Sequence, residues 1–166
     1  MGRRADIIVG LGGATPALRR YARALCAGAG PAIADDLVQS ALQSIGARIR
    51  SRELRPVDLA EARIETYATL VALAEKKLGN APGPAARHPP IVHGLAGLAF
   101  DERAVLLLVS LEGFGYDAAA RIVGASRETA LAQLMRARMA LGAEGLRPVA
   151  PLEGGRRAAS HLRVVK

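Results

Sequence analysis

From residue 104 to 141 the chain reads AVLLLVSLEGFGYDAAARIVGASRETALAQLMRARMAL, and near its end Arg127, Gln133, Arg136 and Arg138 supply the hydrogen-bond donors that phosphates and base edges accept. The chemistry in question is recognition of DNA, not bond making. To position those side chains, Ala118, Ala119 and Ile122 must pack on one face of a short helix. A turn at Gly124-Ala125-Ser126 follows, and Ala130, Leu134, Ala137 and Leu141 repeat at i, i+4, i+7 and i+11 on a second helix. That is the pattern of a helix-turn-helix, whose second helix enters a major groove. The four polar residues fall off the packed stripe and are expected to be exposed. Leu131, Ala132 and Met135 stand where donors would be expected, and Leu131 and Met135 are also expected at the surface. The competing reading is an αα-hairpin that only packs on the rest of the chain.

No other group of side chains has the spacing of a catalytic or metal site. Asp35 and Asp36 are adjacent, so on a helix they diverge by about 100° and act as first-turn charges or contacts, not as an acid/base pair. His88, His93 and His161 lie in a linker, beside a glycine and in a tail, with no carboxylate or thiol at ligand spacing. No catalytic residue, no metal and no cofactor are expected. Cys26 is the one cysteine, which excludes an internal disulfide and suggests a reducing cytoplasm. Gly10-Leu11-Gly12-Gly13 after DIIV fails as a dinucleotide fingerprint because Thr15 stands at the third glycine, so residues 1–14 are read as a flexible or extended arm.

The elements that carry these residues are helical. Thr15 and Pro16 make an N-cap and first position for a helix from Pro16 to Ala27, ended by the Gly28 to Pro31 cluster. Ile33, Leu37, Leu42, Ile45 and Ile49 stripe a second helix near 32–50, with Asp35 and Asp36 in its first turn. Leu59, Ile64, Tyr67, Val71 and Leu78 keep helical register from Asp58 to Leu78. Residues 79–90, GNAPGPAARHPP, hold four of the nine prolines and two glycines, the composition of a linker. Asp101 reads as the N-cap of the apolar run that follows it.

The expected fold is therefore all-α. An arm (1–14) precedes a three-helix module (15–78), and the flexible linker (79–90) leads to a helix-turn-helix module (91–143) and a basic tail (144–166). The two modules are expected to reorient freely. Composition agrees: 51% hydrophobic residues can fill a core, and 3% aromatics with no Trp suit Leu/Ala/Val/Ile helices better than sheets. The net charge of +8 favours a polyanionic partner. No segment reaches the 18 or so apolar residues of a membrane span, so no membrane insertion is expected.

Residues 95–141 resemble region 4 of bacterial sigma factors of the extracytoplasmic-function group in the sigma-70 family, and LRRYARALCAGAGPAIADDLVQSALQSI resembles their region 2, Asp35-Asp36-Leu37-Val38-Gln39 being the most specific piece. The likeness covers about residues 15–143 and is of α-proteobacterial type. It implies a region 2-like three-helix bundle and a region 4-like helix-turn-helix, a sigma factor bound to core RNA polymerase and promoter DNA, and an anti-sigma factor as a further partner. By that resemblance Asp35, Asp36, Leu37 and Gln39 would dock on polymerase, while Arg127, Gln133, Arg136 and Arg138 would read the −35 element. Region 2 is degenerate: its third helix lacks the usual Trp and Asn, and Tyr67 is its only aromatic. Bases of an opened strand are held by stacking on such residues. The recognition helix also lacks the usual Lys, Ser and Arg at 131–133. A second resemblance follows, to the sigma-like domain of α-proteobacterial general-stress regulators, which imitates a sigma factor to sequester an anti-sigma factor. Those regulators add a receiver domain, for which 166 residues leave no room, and tend to lose the DLVQ stretch, intact here.

Overall fold

A computed structural model describes residues 2–78 and 90–145; the linker expected over 79–90 and the tail expected over 144–166 lie almost wholly outside the described residues. Among the described residues there are helices and no strands: α1 (Gly2–Gly13), α2 (Thr15–Leu25), α3 (Pro31–Arg50), α4 (Leu59–Leu78), α5 (Pro90–Gly97), α6 (Phe100–Ser110), α7 (Tyr116–Val123) and α8 (Arg127–Gly145). The all-α expectation holds.

Local chemistry sets most boundaries. Pro16 lies in the first turn of α2, but Thr15 is already helical and its hydroxyl donates to the Gly12 carbonyl at 2.7 Å instead of capping. Gly30, at φ 101°, makes the turn that starts α3 at Pro31, and this earlier start moves Asp35 and Asp36 out of the first turn. Before α4, the Asp58 carboxylate accepts the Glu61 N–H at 2.8 Å while the Glu61 carboxylate accepts the Val57 N–H at 2.7 Å, an exchange of the capping-box kind. Ahead of α6 the N-cap is Ala99, so Asp101 sits in the first turn and acts on the helix dipole.

The N-terminal arm needs correcting. Residues 2–13 are helix α1, whose Ile7 and Leu11, one turn apart, are buried with Ile45, Ile49 and Ala62. Gly10 is what allows the approach, since a Cβ there would lie 2.9 Å from Leu59 Cδ2. Glycine costs helix propensity, and tertiary burial outweighs it.

The apolar stripes on either side of the linker meet. Leu18, Tyr21, Leu25, Leu37, Tyr67 and Leu70 share one core cluster with Ala104, Leu107, Leu108, Ala119 and Ile122, so α2 and α4 pack directly on α6 and α7. A second cluster, around Val105, Leu106, Ala130, Leu134 and Ala137, seats α8 on α6. Three of the five aromatic residues of the chain stack edge-on at the junction: Tyr21 on Tyr67 at 5.2 Å and Tyr67 on Phe114 at 5.0 Å.

Burial raises the pKa of both tyrosines, Tyr67 further through its hydrogen bond to Glu112 and Tyr21 through the neighbouring Tyr67 and Glu112 charges. The unfolded chain loses these protons near pH ~10 and the folded one later, so above that pH the unfolded state binds fewer protons and stability falls. Denaturant titrations across the alkaline range should show a falling midpoint, with tyrosinate absorbance appearing together with unfolding and not before it.

Candidate nucleic-acid and partner interface

The helix-turn-helix is built as its sequence suggests. Gly124 ends α7 in the left-handed region at φ 68°, the Ala125 N–H returns to the Ala120 carbonyl at 3.0 Å, and Ser126 Oγ accepts the Thr129 N–H at 3.1 Å at the start of α8. Ala130, Leu134 and Ala137 are buried, and Leu141 is half-buried against α5 near Gly94.

The four residues expected to read DNA separate into two kinds. Arg127, Arg136 and Arg138 are exposed. Gln133 is not: it is 8% exposed and its Oε1 has no hydrogen-bond partner, which corrects the expectation that it lies off the packed stripe. It stands three residues after Ala130 and four before Ala137, inside the stripe that those residues define. Arg127 Nη1 donates to the Asp117 carboxylate at 3.1 Å, and Arg136 Nε to Glu102 Oε1 at 2.7 Å. Leu131 is half-buried, against the expected exposure, whereas Met135 and Met139 are 57% and 71% exposed. At 100° per residue, Ala132, Met135 and Met139 form one outward stripe, with Arg136 on one edge and Arg127 and Arg138 on the other. Glu128 lies at the N-terminal end of that stripe. Its own backbone N–H, then the Ser126 hydroxyl, holds its carboxyl below the usual range, so it is an anion at the tip of α8.

On α3 the four residues expected to dock on polymerase also diverge. Asp36 and Gln39 are exposed, and Asp35 is half-buried with Arg23 at 3.3 Å and Arg19 at 3.6 Å. Asp35, Asp36 and Gln39 line one groove of about 270 Å³ with Arg19, Leu42 and Gln43. Leu37 is the exception: it is 4% exposed within the main core cluster and offers no docking surface. Leu37→Ala should cost about 2–5 kcal/mol of stability, while Gln39→Ala should leave the melting temperature near the wild-type value. Thermal unfolding of the two variants separates a core position from a surface one.

The one aromatic of α4 is unavailable for stacking on a base. Tyr67 is fully buried and its hydroxyl donates to Glu112 Oε2 at 2.6 Å. Its register with Ile64 and Val71 on the apolar stripe of α4 agrees with this burial. Among the described residues, no group of three or more His, Cys, Asp or Glu is placed to hold a metal ion, and no helix is long and apolar enough to cross a membrane.

Comparison with known proteins agrees with this geometry. Two solved structures share the fold. One is the anti-anti-sigma factor PhyR of Bartonella quintana complexed with the anti-sigma factor NepR, at 24% identity and TM-score 0.63 over 82% of this chain and 50% of that one. The other is the sigma factor RpoE of Bartonella quintana in complex with NepR, at 24% identity and TM-score 0.59 over 84% of this chain and 96% of that one. This chain spans about half the length of the PhyR chain. No curated protein sequence matches it. The class is thus the all-helical fold that these two structures share. More particularly, residues 91–141 match the family of sigma-70, region 4.

Proposed function

We propose that this chain acts in a sigma factor circuit by binding an anti-sigma factor, as a sigma-like mimic that does not itself initiate transcription. The observation that carries this reading is the outward face of α8. A helix that reads bases needs donors and acceptors on its N-terminal turns. Here the centre of the outward stripe presents Ala132, Met135 and an ionised Glu128, the last of which repels phosphate, and Arg127 at its edge is engaged by Asp117. Two exposed methionines flanked by arginines suit instead the apolar stripe and acidic flanks of a partner helix. The buried Tyr67 supports the same reading, because no opened strand can stack on it while α6 and α7 cover it. Both similar structures, one of a sigma factor and one of an anti-anti-sigma factor, were solved with NepR bound. Such a partner implies a cytoplasmic role. Calorimetric titration of the full chain with a NepR-type anti-sigma factor from the same genome should give a saturable complex, and anisotropy titrations with promoter fragments should give no sequence preference. Promoter-specific binding with no anti-sigma complex would overturn the reading.

A second reading, a sigma factor that binds core RNA polymerase and reads the −35 element through its region 4-like module, rests on the exposed Asp36 and Gln39 in the α3 groove. On that reading Asp36→Ala or Gln39→Ala abolishes co-purification with polymerase at unchanged melting temperature. Arg136→Ala or Arg138→Ala then costs about 1–3 kcal/mol of promoter affinity where the contact is to a base.

A further inference from the structure

Glu112 lies in the connection between α6 and α7, yet its carboxylate is bonded to side chains of the other half of the chain. Its carboxylate is 1% exposed. Oε1 accepts from Arg20 Nε at 3.2 Å and Arg20 Nη2 at 2.9 Å, on α2, and Oε2 accepts from the Tyr67 hydroxyl at 2.6 Å, on α4. Two residues further on, Phe114 covers the Tyr67 ring, and the Arg63 guanidinium of α4 sits 5.5 Å over Phe114.

We infer that Glu112 is a latch that holds the region 4-like half closed over α4, an autoinhibitory contact that keeps the Arg63 and Tyr67 face of α4 from any strand or partner while it is engaged. Three donors converge on one carboxylate, and charge-assisted bonds of this kind are stronger than neutral ones. A neutral amide of the same shape is a poorer latch: with its oxygen toward Arg20 it accepts without charge, its NH₂ group reverses the bond to the Tyr67 hydroxyl, and the opposite orientation sets donor against donor at Arg20. The apolar junction supplies the drive to close, and the carboxylate makes closure switchable. Arg20 is 56% exposed, so an incoming carboxylate can take its guanidinium and leave Glu112 with one partner. A latched chain and an open one differ in access to α4, whichever partner the chain binds, so this inference stands or falls apart from the proposed function.

Cys26 provides the readout. It is 5% exposed in the cluster shared with α6, within electrostatic reach of Arg103, and burial pushes its thiol pKa up. Its reaction with an aromatic disulfide reagent therefore reports opening of the junction in the full chain without partner or label. Glu112→Gln should accelerate labelling about tenfold at unchanged far-UV circular dichroism. Arg20→Gln, at an exposed position that leaves the core intact, should accelerate it in the same direction, and Arg20→Lys should fall between. If Glu112→Gln does not fold, Arg20→Gln alone decides. Labelling of both glutamine variants at the wild-type rate, or acceleration only in proportion to lost helicity, would overturn the latch.

Discussion

Replacing Met135 and Met139 together by aspartate should weaken binding to an anti-sigma factor by about 100-fold or more, the largest effect expected of any surface change in this chain. Both side chains are largely exposed on α8, so the folded chain loses little by the exchange. In a complex, however, each would carry a charge into an apolar contact, where an unpaired carboxylate must shed its water. Repulsion adds to this if the partner presents acids toward Arg127, Arg136 and Arg138. The matching double change of Arg136 and Arg138 to alanine should cost much less, about 0.5–1 kcal/mol for each exposed pair at the rim. Calorimetry on the two double variants gives the order directly. If the arginine variant loses more affinity than the methionine variant, the apolar face of α8 is not the contact.

Tyr67→Ala should cost about 3–5 kcal/mol, which for a domain of this size is a large share of total stability. Several losses coincide at that position. The ring is fully buried between Tyr21 and Phe114, and no other aromatic can fill its volume. Its hydroxyl also satisfies Glu112 Oε2, which would be left buried with only water to replace the donor. Tyr67→Phe removes the hydroxyl and keeps the ring, and should cost about 1–3 kcal/mol. Chemical denaturation of the pair apportions packing and hydrogen bonding. Equal losses in the two variants would mean that the ring contributes little and that the junction is held by the polar contact alone.

How far the sequence could be read depends on whether a feature is local. The turn of the helix-turn-helix was legible because Gly124 and Ser126 signal a left-handed end and a helix cap, and Ala130, Leu134 and Ala137 mark the buried face by their spacing. Gln133 shows the limit of reading by residue type: its position between Ala130 and Ala137 points inward, its amide points outward, and position prevails at the cost of an unpaired Oε1. Leu37 is the converse, an apolar residue of a functional-looking motif whose stripe with Ala41 and Ile45 places it in the core. Helix α1 was hidden by its glycines, since what stabilises it is burial of Ile7 and Leu11 against residues more than thirty positions away. The junction was not legible at all. Arg20 and Glu112 are 92 residues apart, Tyr67 and Glu112 are 45 apart, and no periodicity encodes a contact between residues on separate stripes. For the candidate site the chain shows three arginines where they were expected, while their pairing with Asp117 and Glu102 depends on how α7 and α6 pack beside α8.

Run-off transcription with purified core RNA polymerase on fragments of the native genome separates most directly a chain that engages an anti-sigma factor from one that initiates transcription. With the chain as the sole sigma-type protein, no promoter-specific transcript is expected. In a reaction containing a cognate sigma factor silenced by a NepR-type anti-sigma factor, adding the chain should restore that factor's transcripts in proportion to the chain added. Promoter-specific transcripts from core polymerase and this chain alone would contradict the mimic reading and make it a sigma factor in its own right.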